Sequence, residues 1–232
     1  MSGTIQPSET VGWSPRLRDE PLGSASRPSW RGRTHLLALI VAVPLLGYLA
    51  TRAEGVQARA GVVVYAAGLC SMFAVSTTYH RWVHTMRSRA IWRRADHATI
   101  YAAIAATCTP LCLALLETGP AAIMLVCIWT AALVGVTVTL TRWRRASVVA
   151  SGLYIANGWL GLLLVPALLQ ISGVVPTALL LAGGLLYTVG AIGFACRWPT
   201  LRPSVFSYHE VWHLFTLAAA ASHIAAVWLV VA

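Results

Sequence analysis

A chain of 232 residues with 58% hydrophobic and only 10% charged side chains lies outside the range of soluble domains, in which about a quarter of residues are charged. Its formal charge of +10 rests on arginine alone, because the sequence contains no lysine. That absence excludes a retinal protein, which needs a lysine for its Schiff base. The arginine placement described below makes a nucleic-acid partner unnecessary.

Residues 1–34 are rich in Ser, Pro, Gly and Arg and lack apolar periodicity, which predicts a disordered basic tail and not a signal peptide. Residues 35–232 divide into seven apolar stretches, at 35–51, 61–80, 97–116, 121–140, 148–169, 176–195 and 208–231. Each is near the ~20 residues that cross a bilayer core. They leave no room for a second globular domain, so the expected fold is all-α, a seven-helix transmembrane bundle. Pro44 interrupts the first stretch, and Pro110 and Pro166 are expected to bend the third and fifth. Small residues such as Gly158, Gly161, Gly183, Gly184 and Gly190 let helices approach closely in lipid. Five cysteines, an odd number spread through apolar stretches, read as packing residues and not as a disulfide framework.

The arginines alternate between connections. Arg16, Arg18, Arg27, Arg31 and Arg33 precede the first stretch, and Arg81, Arg87, Arg89, Arg93 and Arg94 lie between the second and third. Arg142, Arg144 and Arg145 follow the fourth, and Arg197 and Arg202 follow the sixth. The intervening connections hold only Arg52 and Arg59. Basic loops stay on the cytoplasmic side, so the N-terminus is expected inside and the C-terminus outside.

That topology gathers polar residues at one membrane face. His80 closes the second stretch, Asp96 opens the third, and His209 and His213 begin the seventh, four residues apart on one helix face. Ser76 sits one turn deeper than His80. Ionisable groups at such depth are costly unless paired or metal-bound. Three neutral imidazoles with an open fourth position match a catalytic zinc site. Asp96 is placed to act as general base on a zinc-bound water, and Ser76 to donate to a developing oxyanion. Each element also has a plainer reading: Asp96 as a helix N-cap, Ser76 bonded to its own helix. His97, Glu210 and His35 are candidates to support the ligands. His84 is expected to be solvated, and His223 to be buried and hydrogen-bonded about 15 Å beyond His213.

These residues resemble the hemolysin III proteins, bacterial members of the progestin and adiponectin receptor (PAQR) family. The likeness spans residues 31–232. It rests on Arg31-Gly32-x-x-His35, Ser76-x-x-x-His80, Arg94-x-Asp96-His97, Thr107-x-Thr109-Pro110, Gly158-Trp159, the stretch from Ala182 to Gly190, and Tyr208-His209-Glu210-x-x-His213. The resemblance implies seven spans, an internal N-terminus, a bacterial inner (plasma) membrane location, and a zinc ion held by His80, His209 and His213. It implies that Asp96 holds the water on the zinc, with Ser76 behind it. Ala106, Cys108 and Ser207 depart from the usual family residues, and none of these changes removes a ligand. Likeness to alkaline ceramidases points to hydrolysis of a lipid amide or ester, with membrane lipid as substrate or ligand. The hemolysin label points to cytolysis through a pore, although no stretch carries a regular polar stripe. A receptor-like homeostasis protein with structural zinc is the third reading.

Overall fold

The computed structural model describes residues 28–141 and 146–232, with the side chains of 146–151 excepted. Most of the expected basic tail, including Arg16, Arg18 and Arg27, lies outside the described residues, as do Arg142, Arg144 and Arg145. Every main element among the described residues is helical. The order is α1 (Arg33–Arg52), α2 (Val56–Arg81), α3 (Met86–Leu115), α4 (Thr118–Leu140), α5 (Ala146–Trp159), a 3₁₀ turn (Leu160–Leu164), α6 (Val165–Ser172), α7 (Val174–Ala195) and α8 (Tyr208–Val231). With α5, the turn and α6 forming one crossing, seven spans among the described residues are long and apolar enough for a bilayer.

The boundaries correct the sequence reading where local capping overrides hydropathy. Helix α3 begins ten residues before Asp96, at a Thr85 cap. The Thr85 hydroxyl accepts from the Ser88 amide at 3.2 Å, and Ser88 Oγ accepts from the Thr85 amide at 3.3 Å. Asp96 is therefore an interior helical residue and not an N-cap. Arg87, Arg89, Arg93 and Arg94 ride on the same helix instead of in a loop. The fifth span breaks as anticipated. The Pro166 ring would collide with the carbonyl four residues earlier, and the chain relaxes into the 3₁₀ turn at that point. Helices α1 and α3 run unbroken through Pro44 and Pro110.

The core lies between α1, α2, α3 and α8 and is filled by Leu46, Leu49, Val62, Tyr65, Leu69, Phe73, Tyr101, Leu111 and Val227, all at most 2% exposed. Helices α2 and α3 pack most extensively, followed by α7 against α8. Glycine permits both approaches: a Cβ on Gly68 would meet the Ala106 methyl at 2.4 Å, and one on Gly190 would meet the Phe215 Cβ at 2.6 Å. Cys108 and Cys112 are buried in this packing, and all five thiols are free.

Two contacts fix which helix ends lie together. At one end, the Glu54 amide donates to the Val231 carbonyl at 2.9 Å, joining the α1–α2 turn to the end of α8. At the other, the amides of Ser29 and Trp30 donate to the carbonyls of Ser204 and Val205, at 3.1 and 3.2 Å. This pairs the segment before α1 with the connection leading into α8. The start of α1, the end of α2 and the start of α8 therefore form one end of the bundle, with the early turns of α3 beside them.

Candidate metal centre

At that end three imidazoles converge. His80, on the last turn of α2, places Nε2 3.1 Å from Nε2 of His209 on the first turn of α8. His213, one turn further along α8, completes a group whose ligand atoms all lie within 4.8 Å of one another. His80 and His213 are buried, and His209 is half-buried. As neutral rings of opposite tautomer, His80 and His209 can share one N–H···N bond, and the same spacing suits a shared cation. Nitrogens held ~2.0–2.1 Å from a tetrahedral zinc stand about 3.3 Å apart. The residues present therefore fit a divalent ion, with a small inward adjustment of the widest pair.

A carboxylate faces this group. Asp96 Oδ2 is 3.9 Å from His80 Nε2, and the buried Ser76 hydroxyl lies beside its carboxylate. Ser76 on α2 and Asp96 on α3 thus stand side by side at the site. Because α3 begins well before Asp96, the side chain arrives from mid-helix with its backbone already satisfied. That leaves the carboxylate available for the site.

The supporting candidates separate into distinct positions. His35 is buried and stacks face to face on His213, with ring centroids 3.9 Å apart and planes 3° from parallel. Neither of its nitrogens has a hydrogen-bond partner among the described residues. Glu210 is engaged by the residues that lead into α8 and by the segment before α1. At 1% exposure it accepts from the Ser207 amide at 2.7 Å and the Ser207 hydroxyl at 2.6 Å, and it pairs with the Arg31 guanidinium. It thereby anchors the first turn of α8. His97 lies at the rim: its Nδ1 is 2.9 Å from the Arg93 carbonyl and 3.9 Å from Asp96 Oδ2. His223 lies deep in the bundle, with Nε2 hydrogen-bonded to the Leu180 carbonyl at 3.1 Å. His84 is exposed.

Three participants escaped the sequence reading as parts of this site. Thr34 Oγ1 lies 3.4 Å from His213 Nδ1. Arg31 reaches both Glu210 and Ser207. Ser207 caps α8 with Glu210 at the third position of the helix. The last was legible as Ser-x-x-Glu, the capping-box spacing. Thr34 carried no pattern of its own and stood last in the expected tail.

Below the imidazoles an apolar cleft opens between α3, α5, α7 and α8. Met72, Ile100 and Thr216 line it, each one helical turn deeper than Ser76, Asp96 and His213 respectively. Tyr187, Trp212 and His223 contribute its few polar edges.

Seven membrane-spanning helices around a buried histidine cluster at one end define a multi-pass helical membrane protein with a candidate metal centre. Residues 24–224 match the family model described as "Haemolysin-III related". The chain is 32% identical over 191 residues to a protein named "Hemolysin-3" from Bacillus cereus, covering 81% of this chain and 84% of that protein. It is 30% identical over 200 residues to the human "Monocyte to macrophage differentiation factor", covering 84% and 80% of the two chains. A "Hemolysin-3 homolog" of Bacillus subtilis (strain 168) is 28% identical over 193 residues, covering 82% and 87%. The chain belongs to the haemolysin-III related family.

Proposed function

We propose that this protein is a zinc-dependent hydrolase of a lipid amide or ester, working from the cytoplasmic face of a bacterial inner membrane. The observation that carries this reading is the meeting of His80, His209 and His213 beside the Asp96 carboxylate, directly above an apolar cleft. His80, His209 and His213 would hold the ion. Zinc, when bound, supplies Lewis acidity toward a carbonyl and lowers the pKa of water to about 7. Asp96, beside Ser76, would take the proton from water and return it to the leaving group. Ser76 would orient that base, a role its place beside the carboxylate supports better than the oxyanion contact expected from sequence. The cleft would keep acyl chains in an apolar environment while the head group meets the histidines.

The cytoplasmic assignment draws on charge. Arg33, Arg81, Arg87, Arg89, Arg197 and Arg202 lie at or near the histidine end of their helices, and Arg52 and Arg59 at the other. The positive-inside rule then favours a cytoplasmic site.

Metal analysis of detergent-purified protein should find about one zinc per chain, coupled to fatty-acid release from a panel of lipid amides and esters. His213→Ala should lose most of the metal and all of the release. Full metal occupancy in that variant would refute the assignment. A second reading, structural zinc with Asp96 as fourth ligand, is favoured by the 3.9 Å approach of Asp96 to His80. X-ray absorption showing four protein ligands and no water would select it.

A further inference from the structure

Four of the five residues from Arg31 to His35 touch the surroundings of the three imidazoles, although none of them belongs to the histidine cluster. Gly32, at φ +74°, brings the backbone so close to α2 that a Cβ there would stand 2.7 Å from the Cβ of His80. Arg31 pairs with Glu210, the neighbour of His209. Thr34 lies against His213, and His35 covers the face of the same ring. The whole segment is tied down by the backbone bonds from Ser29 and Trp30 to the connection before α8. A side-chain rotation of His213 would have to break the Thr34 contact and slide past the His35 ring.

We propose that Arg31–His35 is the positioning element of the metal centre, and that Thr34 acts by fixing the tautomer of His213. The inference rests on the metal reading above and deepens it. A neutral imidazole carries one N–H and one lone pair, and only the lone pair binds a metal. When Thr34 Oγ1 accepts a hydrogen bond from His213 Nδ1–H, the lone pair is left on Nε2. That is the nitrogen through which His80 and His209 also face each other. Stacking by His35 then sets the plane in which that lone pair points. Outer partners of this kind hold a ligand ring in orientation without touching the ion. Thr34 is 5% exposed and His213 2% exposed, so water does not substitute readily for the hydroxyl.

Thr34→Val keeps the side-chain shape and removes the acceptor, and Thr34→Ser keeps the acceptor. Zinc affinity of metal-stripped protein, measured by competition with a chromophoric chelator, should fall ~10–100-fold in Thr34→Val. It should stay within about threefold of wild type in Thr34→Ser, well short of that range. Equal affinity of Thr34→Val and wild type would overturn the positioning role while leaving the metal centre standing. Wild-type protein that binds no zinc would instead overturn the metal centre itself. A measurement independent of the variants' folding is ¹⁵N-histidine NMR of the metal-free wild type. His213 should appear as the Nδ1–H tautomer, and an Nε2–H tautomer would overturn the proposal.

Discussion

The buried pair between Arg31 and Glu210 offers a test of how the site is held that needs no metal. Glu210→Gln preserves shape but removes the charge and one acceptor. In the native arrangement one carboxylate oxygen takes both Ser207 bonds and the other takes Arg31. A Gln side chain has one oxygen and one NH₂. With its oxygen toward Ser207, the NH₂ confronts the guanidinium; with its oxygen toward Arg31, the NH₂ confronts the Ser207 amide and hydroxyl. Either orientation leaves donors facing donors at a residue 1% exposed. Removing one partner of a buried pair costs about 3–5 kcal/mol. Arg31 keeps 21% of its side chain accessible, so the lower end applies, about 3 kcal/mol or roughly a hundredfold in the folding equilibrium. Equilibrium unfolding of metal-free protein in mixed micelles would measure it, beside a cycle of Arg31→Met, Glu210→Met and Arg31→Met/Glu210→Met. The double variant should recover part of the loss, because no lone charge then remains buried. A Glu210→Gln protein within 0.5 kcal/mol of wild type, roughly the scatter of surface substitutions, would refute this account. So would strict additivity of the two single changes.

Two glycines on α7 should respond oppositely. A Cβ at Gly183 would sit 2.2 Å from His223 Nε2, whereas one at Gly184 meets nothing within 4 Å. Gly183→Ala should destabilise the protein by about 1–3 kcal/mol through overpacking, and Gly184→Ala should be neutral or stabilising by up to about 1 kcal/mol; melting in one detergent checks both. Asp96→Asn should retain zinc near wild-type occupancy while abolishing lipid hydrolysis, as metal analysis and fatty-acid release would show. Parallel loss of both would make Asp96 a ligand. Chelation should lower the melting temperature of the wild type, and zinc should restore it. Zinc present at about 1,000 times Kd contributes about 4 kcal/mol, a gain that His209→Ala should forfeit.

The spans were legible because crossing a bilayer demands ~20 apolar residues whatever the fold, and hydropathy placed all seven. Their ends were less legible. Nothing in hydropathy separates the polar first turns of α3 from a loop, and the Thr85–Ser88 capping box that starts it lacks the acidic or amide third residue that makes such boxes conspicuous. That shift moved Asp96 from a helix terminus to a helix interior. The histidine set was legible through topology: alternating arginines put residues 80, 209 and 213 on one face before any geometry was known. The deep position of His223 followed from helical rise alone.

The sequence by itself determined that this chain lives in a membrane, how many times it crosses, and which polar residues share an end. Those properties follow from local composition and from a one-dimensional alternation of charge. Only the tertiary structure decided that ring nitrogens from α2 and α8 meet at 3.1 Å and that the Asp96 carboxylate comes within 3.9 Å of His80. It also decided that Arg31, Thr34 and His35 close over the centre. The reason is that such contacts join residues up to 179 positions apart. Rotamers and helix packing settle them at the scale of a single ångström, and no periodicity in the chain encodes distances that fine.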